Sequence, residues 1–81
     1  MELLDTIDLM KSSDYKDRFK AEYYQLKIRI DKLSDVLDKY DRGTLEFTPT
    51  CGIEILTIQY ESMKAYLCTL KERARIEKIE L

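Results

Sequence analysis

Phe19-Lys20-Ala21-Glu22-Tyr23-Tyr24-Gln25-Leu26-Lys27-Ile28-Arg29-Ile30-Asp31-Lys32-Leu33-Ser34-Asp35-Val36-Leu37-Asp38-Lys39-Tyr40 is the stretch that decides the fold. Phe19, Tyr23, Leu26, Ile30, Leu33, Leu37 and Tyr40 recur at alternating steps of four and three residues. That rhythm lays one narrow apolar seam along an α-helix. A second run, Ile53, Leu56, Tyr60, Met63, Leu67, Leu70 and Ala74, repeats it. Between the runs, residues 41–52 hold the only proline, Pro49, and both glycines, Gly43 and Gly52. Two long helices joined by a compact turn form a helical hairpin.

The spacing predicts helices over about 14–40 and 53–79, with a connector at 41–52 and a short amphipathic helix at 2–10. Leu3, Ile7 and Met10 would share one side of that short helix. Ser13 is the expected N-cap of the first long helix, with Asp14 and Asp17 near the positive end of its dipole. Gly43 follows the last seam residue, as a glycine-terminated helix requires. Thr48, Thr50 or Cys51 is positioned to cap the second helix, and Leu45 and Phe47 are expected to tuck against the open end of the hairpin. The fold class is all-α: an antiparallel two-helix hairpin with a short N-terminal helix, assembled into a helical-bundle oligomer.

The oligomer follows from size and from surplus apolar surface. A chain of 81 residues is one small domain, and small folds are often completed by disulfides, metals or association. Two cysteines and no histidine make a disulfide framework and a zinc site poor readings. Ala21, Tyr24 and Ile28 lie off the first seam. On the second helix Ile55, Ile58, Ser62, Ala65, Thr69, Ile76 and Ile79 form another stripe, with small residues in its middle. Such residues let a further helix approach closely. Ile28, Ile55, Ile58 and Ala65 are the expected oligomer interface.

Charge narrows the function. A net charge of −2 offers no global attraction to DNA phosphates and no polybasic patch for a membrane. The N-terminal apolar stretch is broken by Glu2, Asp5 and Asp8, too short and too acidic for a signal peptide or a membrane span. A soluble, cytoplasmic protein is the expectation. Histidine, the usual general base, is absent, and no glycine-rich phosphate loop or Walker pattern occurs. Glu22, Asp35 and Glu54 could supply carboxylates to a metal, but the Glu-x-x-His pattern of di-iron bundles cannot be built. Cys51, at a helix start, reads as a cap or core residue before a reactive thiol, and Cys68 reads as a small packing residue beside the seam. The reading is therefore no enzyme, no cofactor and no metal. Six tyrosines remain. Tyr15, Tyr23, Tyr40 and Tyr60 fall on or beside the seams and read as packing. Tyr24 and Tyr66 lie off them and could stack on a base, while Arg18, Arg29, Arg73 or Arg75 hold phosphate.

Three blocks carry a resemblance: Asp14-Tyr15-Lys16-Asp17-Arg18-Phe19 with Glu22-Tyr23-Tyr24-Gln25-Leu26-Lys27; the connector Gly43-Thr44-Leu45-Glu46-Phe47-Thr48-Pro49-Thr50-Cys51; and Met63-Lys64-Ala65-Tyr66-Leu67 with Glu72-Arg73-Ala74-Arg75-Ile76-Glu77. From about residue 14 onward the chain resembles a family of small phage and prophage proteins related to a crAss-like phage protein. Members often carry proline where this chain has Gly52, and glycine where it has Lys78. The resemblance brings no catalytic residues. It implies a bacterial host cell and a role against host defence. By architectural analogy, helical-hairpin sponges sequester cyclic nucleotide signals as oligomers. The reading is a homo-oligomer that binds a cyclic or ADP-ribose-type nucleotide through Tyr24, Tyr66, Arg18, Arg73 and Arg75. The rivals are a protein-binding inhibitor of a host defence protein, such as a CRISPR nuclease, and a structural or interaction hairpin.

Overall fold

The computed structural model describes residues 1–81, and all its regular structure is helical: a 3₁₀ turn at Leu3–Thr6 runs into α1, Ile7–Lys11, followed by α2, Tyr15–Asp41, and α3, Ile53–Glu77. Arg73, near the end of α3, reaches Tyr15 at the start of α2, so the two long helices are antiparallel. No helix is long and apolar enough to cross a membrane.

The N-terminal segment departs from a single amphipathic helix. Its first part is 3₁₀, with three residues per turn, so Leu3 and Thr6 share a side and Leu9 follows them. Thr6 is fully buried and Leu3 and Leu9 are half-buried, while Ile7 and Met10 are exposed. Buried Thr6 is satisfied on both sides. Its hydroxyl donates to the Leu3 carbonyl at 2.7 Å and accepts from Gln25 Nε2 at 2.8 Å. Glu2 meets Lys32 at 3.7 Å. Together these contacts lay the segment antiparallel along the α2 face that carries Ala21, Gln25, Ile28 and Lys32. Ala21 is 1% exposed for that reason.

Helix α2 is capped by Asp14 rather than Ser13: its Oδ1 accepts from the Lys16 amide at 2.9 Å. A charged acceptor makes the stronger bond to a helix-start amide. Ser12 supports the cap, accepting from the Asp14 amide at 3.0 Å and donating to Asp17 Oδ2 at 2.8 Å. The helix closes in a Schellman turn. Thr44 N–H bonds the Lys39 carbonyl at 2.8 Å and Gly43 N–H the Tyr40 carbonyl at 3.0 Å, with Gly43 at φ +71°.

The connector enters α3 through Gly52, at φ +83° and ψ 155° with no side-chain cap; neither threonine nor Cys51 supplies one. A proline could not adopt that φ. Leu45 is half-buried but Phe47 is 58% exposed. The ring stays in solvent because the neighbouring helix ends form no enclosed apolar surface to receive it. At its far end α3 stops at Lys78, in the left-handed region at φ +58°. The turn donates Ile79 N–H to the Ala74 carbonyl at 2.9 Å and folds the Ile79 side chain back into the core. Phe19, Leu26, Ile30, Leu67, Leu70, Ala74 and Ile79 form that core, flanked by Tyr23, Tyr60 and Met63.

Candidate functional site

A groove of about 350 Å³ runs along α2 between the N-terminal segment and α3. Its floor is a polar stripe of α2 residues, Arg18, Glu22, Gln25 and Arg29, spaced by four, three and four. Ala21 and Leu26 fill in beneath them, Met10 of α1 stands on one side, and Tyr66 of α3 on the other. The groove exists because α2 is covered on two faces, by α3 along its seam and by the N-terminal segment on roughly the opposite side. The strip between stays open.

Its polar groups have defined states. Arg18 Nη1 donates to the Ser12 carbonyl at 2.9 Å, which anchors the guanidinium and leaves its other N–H groups free. Gln25 spends Nε2 on Thr6, leaving its carbonyl oxygen as an acceptor. The side chains of Arg29 and Glu22 take part in none of the molecule's ion pairs. Two guanidiniums, two acceptors, an aromatic ring and a thioether therefore share one concave strip, near the lower end of the size range of ligand pockets.

Of the residues expected to hold a ligand, the fold brings Arg18 and Tyr66 together here. Tyr24 packs edge-on to Tyr23, with centroids 5.3 Å apart, and does not line the groove. Arg73 is engaged in a clamp of its own: it donates to the Tyr15 hydroxyl at 2.7 Å, lies 4.9 Å over the Phe19 ring and pairs with Glu77 at 3.4 Å. Arg75 bonds Glu72 at 3.1 Å, which holds the Glu72 carboxyl below its usual value. Met10, Glu22 and Gln25 were not singled out as ligand contacts by sequence reasoning. The four-three-four spacing of residues 18, 22, 25 and 29 was the available signal.

Of the expected interface residues, Ile28 is half-buried on the face the N-terminal segment occupies. Ile55 and Ile58 are 50% and 59% exposed, Ala65 is exposed, and Ile76 is 63% exposed. These four lie on the face of α3 turned away from α2, with Tyr66 at its border. Both cysteines are free and exposed, including Cys68. A second, shallower hollow of about 240 Å³ lies at the connector, lined by Tyr40, Gly43, Leu45, Phe47, Thr48 and Pro49.

No curated protein and no solved structure matched the chain. A family model did, over residues 13–76, a span that takes in the groove floor, the connector and nearly all of α3, and by that match the chain belongs to the Sequestin family.

Proposed function

We propose that this protein is a non-enzymatic phage counter-defence protein that binds and sequesters a nucleotide immune signal, with its sites completed where hairpins meet. The observation that carries the reading is the groove: Arg18 and Arg29 border a strip that Tyr66 overlooks, a set suited to holding phosphate and stacking a base. The family's name, Sequestin, agrees with binding without turnover. Closure by a second copy is supported by the exposed Ile55, Ile58 and Ile76 on α3, whose small neighbours Ser62, Ala65 and Thr69 permit close helix approach. A partner seated on that face would pass beside Tyr66 and wall in the groove.

Calorimetry against a panel of cyclic and ADP-ribose-type nucleotides tests the reading. Heat denaturation of the complex should return the bound nucleotide unchanged. A charge-assisted phosphate contact contributes about 1.5 to 3 kcal/mol, so Arg18→Ala or Arg29→Ala should weaken binding about ten-fold or more. Absence of heat and of thermal shift across the panel would abandon the reading. It would promote the protein-inhibitor alternative, which the exposed Phe47 and Tyr40 at the connector favour.

A further inference from the structure

We infer that Glu22 determines which base the groove accepts, and that the base is guanine. The inference rests on the nucleotide reading above and adds to it the chemistry of the edge that is read.

Glu22 is out of place in a site built only for phosphate. It sits on the groove floor between Arg18, four residues before it, and Arg29, seven residues after it. At 1.5 Å per residue those offsets are about 6 Å and about 10 Å along the helix. The side chain is half-buried and makes no ion pair with either arginine or with any other cation. A lone carboxylate repels any phosphate held nearby. The repulsion is offset only if the ligand brings N–H donors to the same place.

Gln25 adds to this demand for donors. Its amide nitrogen is committed to Thr6 Oγ1 at 2.8 Å, so the group it leaves for a ligand is also an acceptor. A carboxylate is a two-pronged acceptor, best matched by two parallel N–H groups on one planar edge. Guanine presents that pair, its ring N1–H beside its exocyclic amine. Adenine puts a lone pair beside its amine, and uracil puts carbonyl oxygens on both sides of its one N–H. Either would turn an acceptor toward the carboxylate. Tyr66, facing the floor across the groove, is placed to stack on the base while Glu22 reads its edge.

The test is calorimetry with cyclic di-GMP, cyclic di-AMP and cyclic di-UMP, beside linear GMP, on the unmodified protein and on Glu22→Ala and Glu22→Gln. The unmodified protein should bind the guanine ligand at least ten-fold more tightly than the adenine and uracil ones. Comparison with linear GMP separates a cyclic ligand from a free mononucleotide bearing the same base. Both variants should lose most of that preference, weakening for guanine while holding or gaining affinity for uracil. Circular dichroism should be unchanged, since the carboxylate supports no contact within the fold. If neutralising Glu22 tightens guanine binding as much as the others, the carboxylate is a bystander charge and the inference is overturned with sequestration intact. If no nucleotide binds the unmodified protein, sequestration itself falls and takes the inference with it.

Discussion

At the end of the hairpin where α2 begins and α3 stops, Phe19, Leu26 and Ile30 pack with Leu67, Leu70 and Ala74, all 9% exposed or less; at the connector end, Leu33, Leu37, Ile53 and Leu56 keep the same rhythm and are only half-buried. The seam residues are similar in kind at both ends. What differs is what closes over the seam. Where α2 begins and α3 ends, Ile79 folds back from beyond α3 into the seam and Arg73 lies 4.9 Å over the Phe19 ring. Near the connector there are two helices and nothing more. A heptad pattern fixes which way a side chain points, and what folds over the seam from beyond it decides whether water is excluded.

The largest expected effect puts that contrast to a direct test. Leu70 is fully buried, so Leu70→Ala should destabilise the fold by about 2 to 5 kcal/mol. In a small domain, that can abolish folding. Leu56→Ala should cost clearly less, because the half-buried side chain has less burial to lose. Thermal or denaturant unfolding of both variants, at several protein concentrations, reads the difference. A Leu56→Ala loss equal to that of Leu70→Ala at high concentration would mean that a second copy covers the connector end. Ile58→Glu should then abolish the concentration dependence while leaving much of the helix content intact. A stable monomer at micromolar concentration in sedimentation would instead set the oligomer aside.

The same contrast explains what could be read from residue types alone. Both seams were legible because packing between neighbouring helices obeys a short-range period. The stop at Gly43 was legible because a Schellman turn needs a left-handed residue at one place. The groove was not legible as a whole. It depends on Thr6 docking on Gln25, nineteen residues away, and Thr6 lies in a 3₁₀ turn whose period differs from that of the α-helix assumed for it. Arg18 and Tyr66 were legible as residue types, a cation and an off-seam ring, but their meeting along one groove was not. Arg73 belongs to the same types, but the fold places Tyr15 within its reach across 58 residues, which no local pattern reveals. Phe47 was misjudged because a hydrophobic residue in a turn is buried only when neighbouring elements leave it an enclosed apolar surface.

A smaller effect is expected at the turn that closes the packed end. Lys78 occupies the left-handed region at φ +58°, where a side chain carries a penalty of about 1 to 2 kcal/mol relative to the right-handed helix. Glycine is free of that penalty but loses more chain entropy on folding. Lys78→Gly should therefore raise stability by about 1 kcal/mol at most, raising Tm by roughly 4 to 8 °C in a domain of this size. The turn aims Ile79 into the core, so the gain should appear as slower hydrogen exchange at the Ile79 amide. A loss of stability would mean that the lysine side chain makes a contact worth more than the strain. The terminal layer would then be held by more than its turn.

The smallest effect is expected at Arg75, on the wet outer side of the packed end. Its guanidinium bonds Glu72 at 3.1 Å, and both side chains are largely exposed, at 70% and 57%. Solvent screens such a pair, and water replaces it readily. Arg75→Ala should leave Tm at neutral pH close to that of the unmodified protein and should leave nucleotide binding unchanged, since the residue lies outside the groove. The pair still leaves a signature with a definite sign. The Arg75 bond holds the folded-state Glu72 carboxyl below its ordinary value of 4.5. A depressed carboxyl stabilises the fold above its unfolded value and loses that contribution as the pH falls through the folded one. Any small Tm gap between the two proteins should be present at neutral pH, begin to close as the pH drops below about 4.5, and vanish below the folded value, where Glu72 is protonated in both. If Arg75→Ala instead weakens nucleotide binding ten-fold, a site would have to lie on this outer face. The groove would then be the wrong end of the comparison for the ligand.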